Sequence, residues 1–159
     1  MWPELREQLA VEEAQLWQLF EVHGALLEKC RKLPPGPIEL SALGAFLHSL
    51  YTGIENSFRR VTLELGGEIP KGDAWHRRLL REMTQPAAAR PPFISLGLAE
   101  KLGQYLQFRH VFRQAYSFQL VWQKMAPLVL GAEEVFSELR AEIALFSARM
   151  DEREGTPMG

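Results

Sequence analysis

One cysteine, Cys30, is all the thiol chemistry that the 159 residues carry. A lone thiol forms neither an internal disulfide nor a multi-cysteine zinc site, and in an apolar stripe it reads as a small buried hydrophobe. No apolar run reaches the 18 or more residues of a membrane span, so no membrane partner is expected. The opening stretch MWPELREQLAVEEAQ is too acidic and too interrupted for a secretory or transit peptide, and the expected compartment is the cytoplasm. Internal repeats and low-complexity tracts are missing, and no stretch alternates long enough to suggest a strand. Histidine, Cys, Asp and Glu do not cluster at metal-ligand spacing, so neither a metal nor a cofactor is expected. The segment GGEIPKGD lacks the glycine spacing before Lys-Ser/Thr that lets backbone amides cradle a phosphate, and reads as a connector.

Apolar residues, in contrast, make up 47% of the chain, enough for a single domain whose folding buries roughly 70% of the unfolded surface. That domain is placed at residues 1–150, with DEREGTPMG (151–159) as a disordered tail. The net charge of −2 hides an uneven distribution. Residues 59–113 carry 10 Lys and Arg against 5 Asp and Glu, while 1–58 carry 4 against 8 and 114–159 carry 4 against 7. A basic middle of this kind makes an anion-facing surface in an acidic protein, although charge runs are also ordinary solvated helix faces.

Helical periodicity predicts an all-α, up-and-down bundle of four to five helices. The first runs from Pro3 to about Lys32 on a stripe of Leu9, Leu16, Leu19, His23, Leu26 and Cys30, and Pro34-Pro35-Gly36-Pro37 stops it. Ser41 is the expected cap of the second, which carries Leu43, Leu47, Leu50, Ile54, Phe58, Val61 and Leu65 and ends at Gly66-Gly67. Asp73 is the expected cap of a short third helix over AWHRRLLREM, with Trp75, Leu79, Leu80 and Met83 facing the core. QPAAARPP is a linker. Ser95 opens a fourth helix reaching about Met125, before Pro127, and a fifth follows Gly131 over roughly 132–150.

Charge sits among aromatics in YLQFRHVFRQAYSFQL, residues 105–120. On one continuous helix Arg109, Arg113 and Tyr116 share a face, and His110 and Gln114 form an i,i+4 pair beside it. Two guanidiniums, an imidazole, an amide and a phenol offer donors to a phosphodiester and neighbours for a base to stack on. The same residues also serve plain helix packing when a carboxylate from a neighbouring helix pairs with them. Glu55, followed by Asn56 on the second helix, is such a carboxylate, either a buried partner of Arg109 or exposed. His23 and His48 read as core or boundary histidines, and His76 as structural or part of the basic surface.

The segment Arg109-His110-Val111-Phe112-Arg113-Gln114-Ala115-Tyr116 resembles the Arg-x4-His-x-Tyr signature of HEPN-domain ribonucleases of the HepT toxin type. YTGIENSFRRV (51–61) is similar to that family's Tyr-x-x-Ile-Glu stretch, and AWHRRLLREM (74–83) to its Trp-His-x-x-Leu-Leu stretch. The three occur in the expected order over roughly residues 40–125. The resemblance implies a metal-independent endoribonuclease acting on RNA, tRNA or mRNA, as a homodimer. In such chemistry the ribose 2′-hydroxyl attacks the adjacent phosphate, histidine moves the proton and arginine stabilises the phosphorane-like charge. It implies, too, that Tyr116 is an AMP acceptor for a nucleotidyltransferase antitoxin of the minimal type.

Gln114 stands where the family has histidine, and no arginine in the chain is followed by a histidine five to seven residues on. An amide does not titrate near neutrality and cannot act as a general base. Either the chain is catalytically silent, or another residue substitutes, or the histidine was replaced deliberately to silence a toxic protein. His110 is one helical turn away, about 5.4 Å along the axis, which demands a different substrate pose. The expected site is therefore Arg109, position 114 and Tyr116, supported by His110, Arg113 and Glu55. A non-catalytic module binding RNA or a nucleotidyltransferase is the alternative within the family, and a purely structural bundle the alternative outside it.

Overall fold

The computed structural model describes residues 1–116 and 119–155. Among these it forms five helices: α1 (Trp2–Cys30), α2 (Pro37–Glu64), α3 (Trp75–Glu82), α4 (Leu96–Gln114) and α5 (Trp122–Gly155). The expected all-α bundle is what forms. Pairings along its length give the directions. Gln8 bonds Glu64 while Lys29 bonds Glu39, so α1 and α2 are antiparallel. Arg6 pairs with Asp151 and Arg31 with Glu133, and Ser95 meets Glu142 while Tyr105 meets Leu128. These place α5 antiparallel to both α1 and α4, with the short α3 laid against α2 and α4.

Burial follows three- and four-residue steps, as core-facing helices require. α1 buries Trp2, Leu5, Leu9, Leu16, Leu27 and Cys30, whereas Leu19, His23 and Leu26 sit half-buried at its margin. α2 is the central element: Phe46, Leu47, Leu50, Tyr51, Ile54 and Phe58 are fully enclosed. Packing is close enough that a Cβ on Gly53 would lie 2.5 Å from a Leu16 methyl, and one on Gly44 2.7 Å from the Phe112 ring. Rings link the layers, Trp2 meeting Phe146, Phe146 meeting Phe93 and Phe93 meeting Phe58, all edge-on as aromatic quadrupoles prefer.

Two helix caps differ from expectation. α2 starts at Pro37, not after Ser41. Proline's fixed φ suits the first helical position, where its missing N–H costs nothing. Gly36 is the cap, the Glu39 side chain accepts from the Gly36 amide at 3.1 Å, and the Ser41 hydroxyl merely donates back to the Pro37 carbonyl. Asp73 does not cap α3 either. The chain turns at Gly72 (φ +96°), the helix opens at Trp75, and Ala74 holds the cap position with no side-chain bond. The aspartate is one residue too early. Gly66 (φ +82°) ends α2 as expected, and Ser95 caps α4, its hydroxyl accepting from the Leu98 amide at 3.1 Å.

The α3–α4 connector is tied down. Arg90, buried, donates to the carbonyls of Glu82, Gln85 and Pro91, and the Phe93 and Ile94 amides both donate to the Met83 carbonyl.

The larger correction concerns α4, which ends at Gln114 rather than near Met125. Ala115 turns extended, the Tyr116 amide donates to the Gln119 side chain, and the Gln119 amide returns to the Tyr116 carbonyl. Pro127 therefore does not stop a helix. It lies in the second turn of α5, and the carbonyl its ring leaves unbonded belongs to exposed Gln123, where water can satisfy it. α5 also continues through Gly155, so 151–155 are not a disordered tail: Asp151 accepts from the Trp2 indole at 2.8 Å and pairs with Arg6. Residues 156–159 of that tail, and Ser117 and Phe118 of the aromatic segment, lie outside the described residues.

Candidate functional site

Tyr51 and Glu55 occupy one face of α2 a helical turn apart. Arg109 descends from α4 and His76 from α3 onto that face. The Glu55 carboxylate, with only 6% of its side chain exposed, uses both oxygens. One accepts from His76 Nδ1 at 2.7 Å, and the other lies 3.7 Å from the Arg109 guanidinium, itself 12% exposed. Arg109 also approaches His76 Nδ1 to 3.4 Å. A carboxylate only accepts, so the short contact puts a proton on Nδ1, and in the neutral ring the lone pair is then on Nε2. The Trp75 ring stacks on that imidazole at 3.7 Å, with Arg59 over Trp75 on the solvent side.

Two buried polar atoms here, Arg109 Nε and the Tyr51 hydroxyl, have no hydrogen-bond partner among the described residues. Burial, then the Glu55 charge, pushes the Tyr51 phenol far above its ordinary range against the pull of Arg109 and Arg77. It stays a neutral donor. Such groups cost stability until a partner bonds them.

Outside this buried triad opens a cleft of about 610 Å³ between α3 and α4. Arg77, Arg109, Arg113, His76, His110 and Gln114 line it, and Asp73 is the one acid among its lining residues. Three guanidiniums in a concave site make a field that attracts anions. Behind it, on α2, His48 packs against Phe112. Burial, then the charges of Arg109 and Arg113, holds its imidazole below the usual range.

Arg109, Arg113, His110 and Gln114 thus come together as the sequence suggests, and Glu55 is the buried partner of Arg109 rather than an exposed carboxylate. Asn56 faces away, toward a groove between α1 and α2. Tyr116 does not share the face of Arg109 and Arg113, because α4 ends two residues before it, and its side chain is 70% exposed. His76 is the residue that sequence reasoning missed as a site group. Its only signal was the Trp-His pair opening a short helix, and nothing local places that pair over Glu55. Among the described residues no group of three His, Cys, Asp or Glu side chains could hold a metal ion, and no helix is long and apolar enough to cross a membrane.

A family model described as HepT-like protein matches residues 42–150, a span that takes in every residue of the buried triad and the cleft. No curated protein and no solved structure matches the chain.

Proposed function

The chain belongs to the HepT-like family, and from that premise we propose that its cleft binds RNA and that its chemistry is metal-independent endoribonucleolytic cleavage of the toxin type. The observation that carries this reading is Arg109. Its guanidinium is held by Glu55 at the wall of a basic cleft, with Nε still unbonded. A phosphodiester entering there meets a fixed cation from Arg109 and screening from Arg77 and Arg113, the arrangement that favours charge growing on the phosphoryl oxygens as a 2′-hydroxyl attacks. RNA brings its own nucleophile. Gln114 leaves the motif's proton-transfer position without a titratable group, so cleavage falls to another side chain or is impaired.

In this reading the protein acts in the cytoplasm as a homodimer, tRNA is one candidate substrate, and His110 and Arg113 contact the RNA backbone. The exposed Tyr116 phenol is the acceptor for AMP from a minimal nucleotidyltransferase antitoxin. The specific observation favouring a second reading is the Gln114 amide lining the cleft: a non-catalytic module would bind RNA or the nucleotidyltransferase without turnover.

The test compares the protein with Gln114→His and Arg109→Ala on total RNA in EDTA, reading cleavage and the terminal phosphate. Cleavage that leaves a 2′,3′-cyclic phosphate and vanishes with Arg109→Ala is expected of the nuclease. Salt-sensitive RNA binding with no cleavage by either the protein or its Gln114→His variant would replace it with the binding module.

A further inference from the structure

Resting on the cleavage reading above, we propose that His76, oriented by Glu55, is the proton-transfer residue of this cleft and does the work that position 114 cannot. Of the two imidazoles lining the cleft, His110 is exposed on α4. His76 is 25% exposed and fixed on two sides, by the 2.7 Å contact to Glu55 and by the Trp75 ring. With the Nδ1 proton directed at Glu55, Nε2 of the neutral ring is the atom that offers the lone pair a general base needs. A carboxylate behind an imidazole sets the tautomer and stabilises the imidazolium that forms, as in hydrolase triads. Arg109, 3.4 Å from the same ring, places the phosphate-stabilising cation beside the base. Base and cation sit together because both lean on one carboxylate.

The step balances without a co-reactant. His76 Nε2 takes the ribose 2′-hydroxyl proton as the 2′-oxygen bonds phosphorus, and the bond from phosphorus to the 5′-oxygen breaks. The leaving 5′-oxygen takes a proton from water, and the imidazolium neutralises the resulting hydroxide. The products are a 2′,3′-cyclic phosphate and a 5′-hydroxyl. Glu55 is a positioning residue, since it touches His76 and Arg109 rather than substrate.

The decisive variant is His76→Asn, whose amide keeps a donor near the Nδ1 position for Glu55 but offers no base. Wild type, His76→Asn, Gln114→His and the His76→Asn/Gln114→His double variant are assayed on total RNA in EDTA, with RNA affinity and melting temperature measured for each. We expect wild type to cut and His76→Asn to lose about 10²- to 10⁴-fold in kcat, the usual worth of a general base, with affinity and melting unchanged. Gln114→His should then restore cutting in the His76→Asn background. His76→Gln provides the same comparison if His76→Asn melts early. Glu55→Gln should lower kcat and change the pH profile of kcat/KM. The charges facing the ring are Glu55 from α2 and Arg109 from α4, with Arg77, Arg113, His110 and Asp73 lining the same cleft. A purely structural role would leave that profile in place.

Equal cutting by wild type and His76→Asn overturns the proposal while the nuclease reading stands. So does cutting by Gln114→His alone. Silence from wild type and Gln114→His together overturns both.

Discussion

Replacing Glu55 by Gln removes the only carboxylate among the described residues within ion-pair distance of Arg109 while keeping the side chain's shape. The guanidinium, 12% exposed and already missing a partner at Nε, is left as an uncompensated buried cation. Breaking a buried pair from one side costs about 3–5 kcal/mol, and the lower end applies here because the contact is 3.7 Å and the cleft admits water. For a chain of this size about 3 kcal/mol lowers the melting temperature by about 6–12 °C. The second half of the cycle is sharper. Removing both charges in Glu55→Gln/Arg109→Met should return the protein to within about 1 kcal/mol of wild type, because two charges no longer have to be kept from water. The double variant is then about 2 kcal/mol more stable than Glu55→Gln alone, and the Arg109→Met single variant completes the cycle that gives the coupling. Urea unfolding followed by circular dichroism at matched pH measures all four corners. Equal stability of the Glu55→Gln single variant and the double variant would refute the premise that Arg109 depends on this carboxylate.

Two further outcomes follow from the same neighbourhood. Tyr51→Phe deletes a buried hydroxyl with no partner and should raise stability by about 1 kcal/mol, read as a higher urea midpoint; a loss of that size would mean the hydroxyl is bonded in solution. His48 is held neutral below its ordinary value of 6.5 by burial and then by Arg109 and Arg113. The unfolded chain therefore takes up that proton first. Its contribution is complete above about pH 6.5 and declines as pH falls through the depressed folded value, so His48→Gln should flatten the stability profile on the acid side of neutrality. An unchanged profile would show that His48 is solvated.

Where the fold is set by residues close together in sequence, the chain states it openly. Ser95 caps because its hydroxyl reaches an amide three residues on, Gly66 ends α2 because it supplies a positive φ, and the stripe from Leu43 to Val61 keeps one face buried. Competition between local signals was harder to judge. Pro37 outranked Ser41 as a helix start, Pro127 was absorbed in a second turn, and the break at Ala115 depends on a Gln119 side chain that periodicity does not weigh. The site was half legible for a related reason. Arg109, Arg113, His110 and Gln114 belong to one helix and could be read together, whereas His76 acts on Glu55 across 21 residues and on Arg109 across 33. No spacing rule spans an intervening turn and a pinned connector.

That connector gives the cleft a lever. α3 is eight residues long and buries only Leu79 and Leu80, so its inclination is governed largely by its ends. The far end is clamped by the Arg90 guanidinium and by two amides on the Met83 carbonyl. His76 lies seven residues from that clamp, about 10 Å at helical rise. A tilt of about 10° at the Arg90 loop would swing the imidazole by about 2 Å, more than the proposed proton transfer would tolerate. Beyond its contacts with Glu55 and Trp75, the alignment of His76 with Arg109 thus depends at a distance on an arginine outside the cleft.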